Sequence, residues 1–221
     1  MTDPTSPRLA PRTTRRRVLV LAVVLLGVLM ATMLRSADRS RRAEVNRLAE
    51  LLSLREGMTV AEIGAGSGWL TVEVAQRVGP PGRVYATELT AARLDEIRQA
   101  AGEAGLRNVT VLEAGARATN LSAACCDAIF MRRVYHHLSD PSPILTSVHD
   151  ALRSGGRLVI IEFRPDGLVG RVIRMGVDRA ALIDAVTAVG FEVVTTEEWP
   201  GWDHYVAVFE KSAAGGPRTE R

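Results

Sequence analysis

The residues best suited to chemistry in this 221-residue chain fall in two short stretches. The first is AEIGAGSG, where Gly64, Gly66 and Gly68 alternate with Ala65 and Ser67, and Glu62 stands two positions before the first glycine. Glycine opens backbone angles closed to other residues and lets a ligand approach the main chain. A pyrophosphate-binding loop has the spacing G-x-G-x-x-G. Here the third glycine comes one residue early, and a carboxylate at Glu62 would repel a pyrophosphate while suiting a cationic amino-acid ligand. The second stretch, FMRRVYHHLSDP at residues 130 to 141, holds Tyr135, His136 and His137 just after Arg132 and Arg133. An unperturbed imidazole titrates near pH ~6.5 and suits proton removal close to neutrality. The plainer alternatives are helix-start histidines that bond only the chain, and arginines that pair with surface carboxylates instead of an acidic substrate.

Metal and redox chemistry find little support. Cys125 and Cys126 are adjacent, a spacing that gives no two-arm zinc clip, and they read as small core residues at the start of a strand. The histidines lack H-x-x-x-H spacing, no G-x-S-x-G nucleophile elbow is present, and no metal site is expected.

These residues need a scaffold, and from Met58 onward the pattern alternates strand and helix. MTVAEI reads as a buried strand, SGWLTVEVAQRV as a helix, RVYATE as a strand, and TAARLDEIRQAAGEAG as a helix capped by Thr90. NVTVLEA, an irregular stretch to Ala124, CDAIFM, a helix around residues 144 to 152 and RLVIIEF follow. Asp178 caps DRAALIDAVTAVG, and the strands FEVVTTEEW and HYVAVFEK close the pattern. Apolar strands separated by helices imply a parallel sheet covered on both faces. The last two strands, joined without a helix, must be antiparallel. In such a sheet, ligands sit beyond the carboxyl ends of the strands where the strand order reverses, which is where the glycine loop falls. Glu162 and Arg164 emerge beside that mouth, and RPDGLVGRVIRMGV after them reads as a lid or acceptor-binding loop. Trp199 and Trp202 read as packing for the terminal hairpin.

The glycine loop, Glu88 at the end of VYATE, and ALRSGGRLVIIEF together resemble class I S-adenosylmethionine-dependent methyltransferases over about residues 45 to 211. The resemblance implies an α/β, Rossmann-like, seven-stranded, mostly parallel sheet with a C-terminal antiparallel pair, and S-adenosyl-L-methionine as cofactor. Gly64, Ala65, Gly66 and Gly68 would wrap its methionine part, Glu62 would lie near the ammonium, and Glu88 would take the ribose hydroxyls, with Leu89 and Arg132 as further contacts. Many relatives hold adenine with an acid in a G-D-A sequence; here LEAGARATN puts Gly115 and Ala116 in that place, so either main chain around Ala114 to Arg117 serves or the cofactor is held more weakly. His136, His137 and Tyr135 are the implied catalytic residues. GMTVAEIGAGSGW is also similar to isoaspartyl repair methyltransferases, whereas VYHHLSDP fits small-molecule enzymes better.

The formal charge of +3 is uneven. Residues 1–17 carry five arginines and one acid, residues 18–34 carry no charge, and residues 35–55 carry six arginines and three acids, which leaves 17 basic and 21 acidic groups from residue 56 onward. The basic character belongs to the tail, and a nucleic-acid partner is not expected. The 17 residues VLVLAVVLLGVLMATML would span roughly 26 Å as a helix, near the lower limit for a membrane span. An uncleaved anchor is the expectation and a cleaved signal peptide the rival. Arginines flank both sides, so orientation is a tie; cofactor supply argues for a cytoplasmic domain. The expected organisation is a basic tail at 1–17, a transmembrane helix at 18–34, a juxtamembrane helix at 35–57, a methyltransferase domain at 58–211 and a frayed end at 212–221. The acceptor expected is small or lipid-like. The alternatives are a membrane-tethered cofactor-binding protein without turnover and a nicotinamide-dependent oxidoreductase. Oligomeric state is left open.

Overall fold

The computed structural model describes residues 12–199 and 203–212, with the side chains of 12–24, 169 and 173 excepted. Trp202, most of the basic tail and the last nine residues lie outside that range. The chain divides into two units, Met1–Ala43 and Glu44–Arg221.

Each element of the second unit follows from a local pattern. Strands β1 (Thr59–Ile63), β2 (Arg83–Glu88), β3 (Val109–Glu113), β4 (Cys126–Arg132), β5 (Leu152–Phe163), β6 (Phe191–Glu198) and β7 (His204–Lys211) form one sheet in the order β3-β2-β1-β4-β5-β7-β6. The first five strands run parallel, and β7 lies antiparallel between β5 and β6. The chain moves outward from β1 to β3, then returns to lay β4 on the other side of β1. That reversal opens a crevice at the carboxyl ends of β1 and β4.

Side chains alternate between two cores, as the pleat requires. Ala61, Ile129, Met131, Leu158 and Ile160 face helices α4 (Pro141–Ala151) and α6 (Arg179–Ala188) through Ile144, Leu145, Val148, Leu182 and Val186. Val60, Ala128, Phe130, Val159 and Ile161 face α2 (Trp69–Val78) through Leu70, Val74 and Val78. Trp199 is buried in this second core, as expected of a hairpin-packing residue. Helix α3 (Ala91–Glu103) starts at the Thr90 cap, and α6 at the Asp178 cap, whose side chain accepts from the Ala181 N–H at 2.9 Å. The segment read as a lid carries a short helix, α5 (Leu168–Ile173).

The N-terminal helix departs from expectation. A single helix, α1, runs from Arg12 to Leu51 where two elements divided at residue 34 and ending near Gly57 were expected. Its last turns belong to the second unit, where Val45, Leu48, Leu51 and Leu52, at helical spacing in the sequence, are buried in the α2-side core. Removing the fully buried Leu48 side chain would cost ~2–5 kcal/mol. In the first unit, Leu25, Leu26, Val28, Leu29, Met30, Met33 and Leu34 are exposed. Among the described residues, no helix is long and apolar enough to cross a membrane.

Candidate active site

At the crevice, β1 ends and the chain turns through the three glycines, which serve different purposes. Gly64 has φ +71°, and a Cβ there would stand 2.5 Å from Val134 Cγ2; Gly68 has φ +79°, and a Cβ would press the Ile97 backbone at 3.0 Å. Both are glycines because the protein itself closes on them. Gly66 has φ +59°, but a Cβ there would meet nothing within 4 Å, so it faces open space. Gly64 and Ala65 donate to the Thr87 carbonyl at 3.0 and 3.1 Å, which ties the loop to β2.

Glu88, the last residue of β2, closes the loop from the other side. One carboxylate oxygen accepts the Gly66 N–H at 2.8 Å, and the other accepts its neighbour Leu89 N–H at 3.0 Å. Each oxygen keeps lone pairs toward the cavity. Glu62 is only 4% exposed, and its carboxylate accepts the Thr71 hydroxyl at 2.5 Å. Burial pushes its pKa up to about 8, against the lowering effects of the Thr71 bond and of Arg132. A carboxyl so placed is mostly protonated at neutral pH until a cation arrives.

The two arginines diverge where β4 ends, Arg132 as its last residue and Arg133 as the first beyond it. Arg132 forks onto Glu44 of α1, with Nε on Oε1 and a second nitrogen 3.2 Å from Oε2, and lies 5.5 Å from the Trp69 ring centroid. Arg133 takes a left-handed φ of +57°, donates its backbone N–H to the Ile161 carbonyl at 2.8 Å, and carries its guanidinium 5.7 Å from the Phe163 ring centroid. A 3-10 turn, Tyr135–His137, follows. His136 Nδ1 lies 2.8 Å from Glu162 Oε2, and the Glu162 side chain also accepts the Phe163 N–H at 3.2 Å. Glu162 is wholly buried. In the tautomer whose Nδ1–H donates to Glu162, Nε2 is left as an acceptor.

A cavity of about 530 Å³ joins these groups, bringing together Glu62, Gly64, Ala65, Gly66, Glu88, Arg132, His136 and His137. Sequence reasoning left out Ser67, Trp69, Arg93, Val134, Phe163 and Met175, which also line it. Trp69 had a legible signal, since it follows the glycine loop directly, and Met175 belongs to the segment read as a lid or acceptor-binding loop; Phe163 had none. Gly68, Leu89, Gly115, Ala116 and Tyr135 do not line the cavity. Gly68 is spent on Ile97, Leu89 has an exposed side chain, and the 115–118 turn closes on itself through the Gly115 N–H to the Ala118 carbonyl at 2.9 Å. Tyr135 packs against the α4-side core, where burial and the Glu162 charge raise its pKa. Glu162 reaches the cavity only through His136, and Arg164 pairs on the surface with Asp166 and Glu198.

A larger cavity, of about 780 Å³, lies at the amino ends of the strands beside Met58, Asp127 and Arg153. Arg153 is paired with Asp127 there, and Arg157 donates to Ser53 Oγ at 2.6 Å. Its carboxylates, Glu50, Asp127 and Glu210, and its glycines, Gly155 and Gly156, lie at the end of the sheet away from the switch point. Cys126 is buried and Cys125 half-buried, both free, as small core residues. Among the described residues, no group of three or more histidine, cysteine or acidic side chains could hold a metal.

The topology and the crevice define an α/β domain that binds a nucleoside-containing cofactor at its switch point. Residues 61–160 match the family described as Methyltransferase domain. The chain is 32% identical over 116 residues to a protein-L-isoaspartate O-methyltransferase of Methanothrix thermoacetophila, covering 52% of each. It is 30% identical over 111 residues to the ubiquinone/menaquinone biosynthesis C-methyltransferase UbiE of Klebsiella pneumoniae, covering 50% of this chain and 44% of that one. The chain thus spans about half the length of the curated relatives it matches. A solved S-adenosylmethionine-dependent methyltransferase from Aquifex aeolicus superposes with TM-score 0.71 at 22% identity, covering 76% of this chain and 89% of its own. The [4+2]-cyclase SpnF superposes with TM-score 0.68 at 16% identity, covering 80% and 82%. These two likenesses concern the fold. Residues 61–160 thus carry a methyltransferase domain, and the likeness is to the class I S-adenosylmethionine-dependent methyltransferases, whose cofactor is S-adenosyl-L-methionine.

The donor set fits that cofactor. Open space over Gly66 admits a ligand to the main chain, Glu62 supplies a buried acid for an ammonium, and Glu88 presents free lone pairs where ribose hydroxyls would donate.

Proposed function

We propose that this protein transfers a methyl group from S-adenosyl-L-methionine to a small or lipid-like acceptor, with His136 as the base that takes the acceptor's proton. The observation that carries the proposal is the convergence on one cavity of the Gly66 loop, two carboxylates and a histidine whose other ring nitrogen is held by a buried glutamate. The cofactor, when bound, supplies an electrophilic methyl on a sulfonium.

The chain's own residues do the rest. Glu62, Gly66 and Glu88 hold the cofactor, and Trp69 walls its side of the cavity. His136 receives a proton at Nε2, and Glu162, hydrogen-bonded at Nδ1, orients the ring and stabilises the imidazolium that results. Positioning supplies much of the remainder, since well-aligned reacting groups reach effective molarities of ~10⁵ M upward. Arg132, occupied by Glu44, helps shape the cavity wall. By their names, one of the relatives above acts on a protein residue and the other in quinone biosynthesis; a carboxylate acceptor would need no base, so the His136 role applies to an acceptor that arrives protonated.

The direct test is titration of the purified full chain with S-adenosylmethionine, S-adenosylhomocysteine and NADH in parallel. Micromolar binding of the first two without the third is expected. Binding of NADH alone would restore the nicotinamide alternative, for which the comparisons give no support. Cofactor binding without turnover across an acceptor panel would favour the tethered binding protein.

Location is a separate part of the reading. The uncharged residues 18–34, with the apolar side chains from Leu25 to Leu34 exposed, support membrane attachment of the N-terminal segment, and cofactor supply argues for a domain on the cytoplasmic side. The expected result is retention of the full chain in a membrane pellet after alkaline extraction and release of a chain lacking residues 18–34. Release of both would remove the attachment.

A further inference from the structure

Arg132 and Arg133 enter the crevice side by side, and their charges meet different fates. Arg132 is neutralised by the fork onto Glu44 and turns toward Trp69, on the β1 side of the crevice. Arg93, the third arginine of the lining, is paired with Glu96 at 2.6 Å. Arg133 has no carboxylate within ion-pair distance among the described residues, lines the cavity, and remains exposed to a ligand. Loss of hydration, followed by the neighbouring Arg132 charge, lowers its pKa without making it neutral at physiological pH.

Its placement is also held against a cost. A non-glycine residue at φ +57° is uncommon and persists where the surroundings over-determine it. Here the backbone bond to Ile161 and the Phe163 ring do so, turning the guanidinium toward β5. Glu62 and Glu88 end β1 and β2, on the opposite side of β4. Arg133 therefore stands on the acceptor side, beside His136, His137 and Met175.

We propose that Arg133 is the specificity-determining anchor for an acidic group on the methyl acceptor. The proposal rests on the methyltransferase function above and narrows its substrate class. The acceptor would carry a carboxylate or a phosphate for the guanidinium, an apolar part against Phe163 and Met175, and a protonated nucleophile for His136. Arginine suits either anion, because its planar fork offers two parallel N–H donors.

The test needs no known substrate. The full chain is first saturated with S-adenosylhomocysteine and then titrated with benzoate, phenyl phosphate and neutral benzamide, which share a ring and differ in charge. At least one anion is expected to bind ~10-fold or more tightly than benzamide, the range for hydrogen bonds to a charged group, and which one does so tells carboxylate from phosphate. Arg133→Gln should erase the preference, Arg133→Lys should keep part of it, and both should bind S-adenosylhomocysteine as the parent does. Three results would overturn the anchor: equal binding of all probes by the parent, a preference that survives in Arg133→Gln, or a matching loss of S-adenosylhomocysteine affinity, which would move Arg133 to the cofactor. Failure of the parent chain to bind S-adenosylhomocysteine would remove the methyltransferase function itself, and shows before any probe is added.

Discussion

Two glutamates are buried at the crevice, and they are buried for opposite purposes. Glu62, at the end of β1, has one side-chain donor, Thr71, and its carboxyl is pushed up to about 8 by loss of water. Glu162, at the end of β5, accepts from the His136 ring at 2.8 Å and from the Phe163 amide at 3.2 Å. One carboxylate is under-satisfied and the other has its partner built in. A buried charge persists when it is paired, and otherwise it takes up a proton. Glu162 therefore reads as a permanent part of the protein's wiring, while Glu62, in the function proposed, is left for a ligand to complete.

The sharpest way to break this contrast is at the His136 pair. His136→Ala is expected to lower kcat ~10²-fold or more, within the range for a positioned base, with cofactor binding within about twofold of the parent. S-adenosylhomocysteine release under saturating acceptor measures it. Glu162→Gln should lose part of the same rate by misorienting the ring and likewise spare cofactor binding. A large loss of cofactor affinity in either variant would show that the two regions are not separable.

Glu62→Gln should do the reverse, weakening cofactor binding ~10-fold or more, the loss of a charge-assisted bond, while raising the stability of the ligand-free protein. Glu62 holds its proton more tightly folded than unfolded, with an ordinary value of 4.5 rising to about 8. The folded state therefore binds more protons across that window, and stability falls as pH climbs from about 4.5 to about 8. The glutamine variant should show a Tm gain that grows with pH over this range, by several degrees at its upper end. Thermal melts at pH 5 and pH 8.5 read the difference. Binding shows the same linkage: between pH 6 and pH 7 the parent's dissociation constant for S-adenosylhomocysteine should fall close to tenfold, because an ammonium selects the ionised carboxyl. A flat profile in the parent would end the assignment.

Glu88→Ala should weaken cofactor binding by at least ~1.5 kcal/mol, the lower range for hydrogen bonds to a charged group, and leave both pH profiles alone. An unchanged dissociation constant would refute its proposed ribose contact.

Much of the β1 side was legible in the sequence, and less of the β5 side. The glycine loop, Glu62 and Glu88 lie at the ends of consecutive strands, so local pattern and alternation suffice to place them. Glu162 and His136 are 26 residues apart and meet because β4 and β5 are parallel neighbours, a relation that no spacing rule states. The same holds for Arg132 and Arg133. Only Glu44, delivered by the packed end of α1, decides which of the two is free. The seven strands and their antiparallel end were readable because apolar runs, glycine stops and caps agree at each element. The single long helix α1 was not, since Gly57 offered a stop the helix does not reach.

The smallest expected effect bears most directly on the contrast. Thr71 is wholly buried, and its hydroxyl holds the Glu62 carboxyl toward the ionised form. Thr71→Val keeps the shape and removes the donor, so the Glu62 pKa should rise above about 8 and the stability lost on deprotonation should move to higher pH with it. Because more of the carboxyl is then protonated at pH 7, the cofactor must displace a proton more often, and its affinity should fall by a factor of about 3 to 10, the worth of one neutral hydrogen bond. Methyl transfer at saturating cofactor should be unchanged, since nothing at His136 or Glu162 has moved. Titration calorimetry at pH 8.5, in two buffers of different ionisation enthalpy, measures the proton released on binding, which should be larger in the variant. If that release matches the parent's, Thr71 is packing alone, and the incomplete satisfaction of Glu62 has another source.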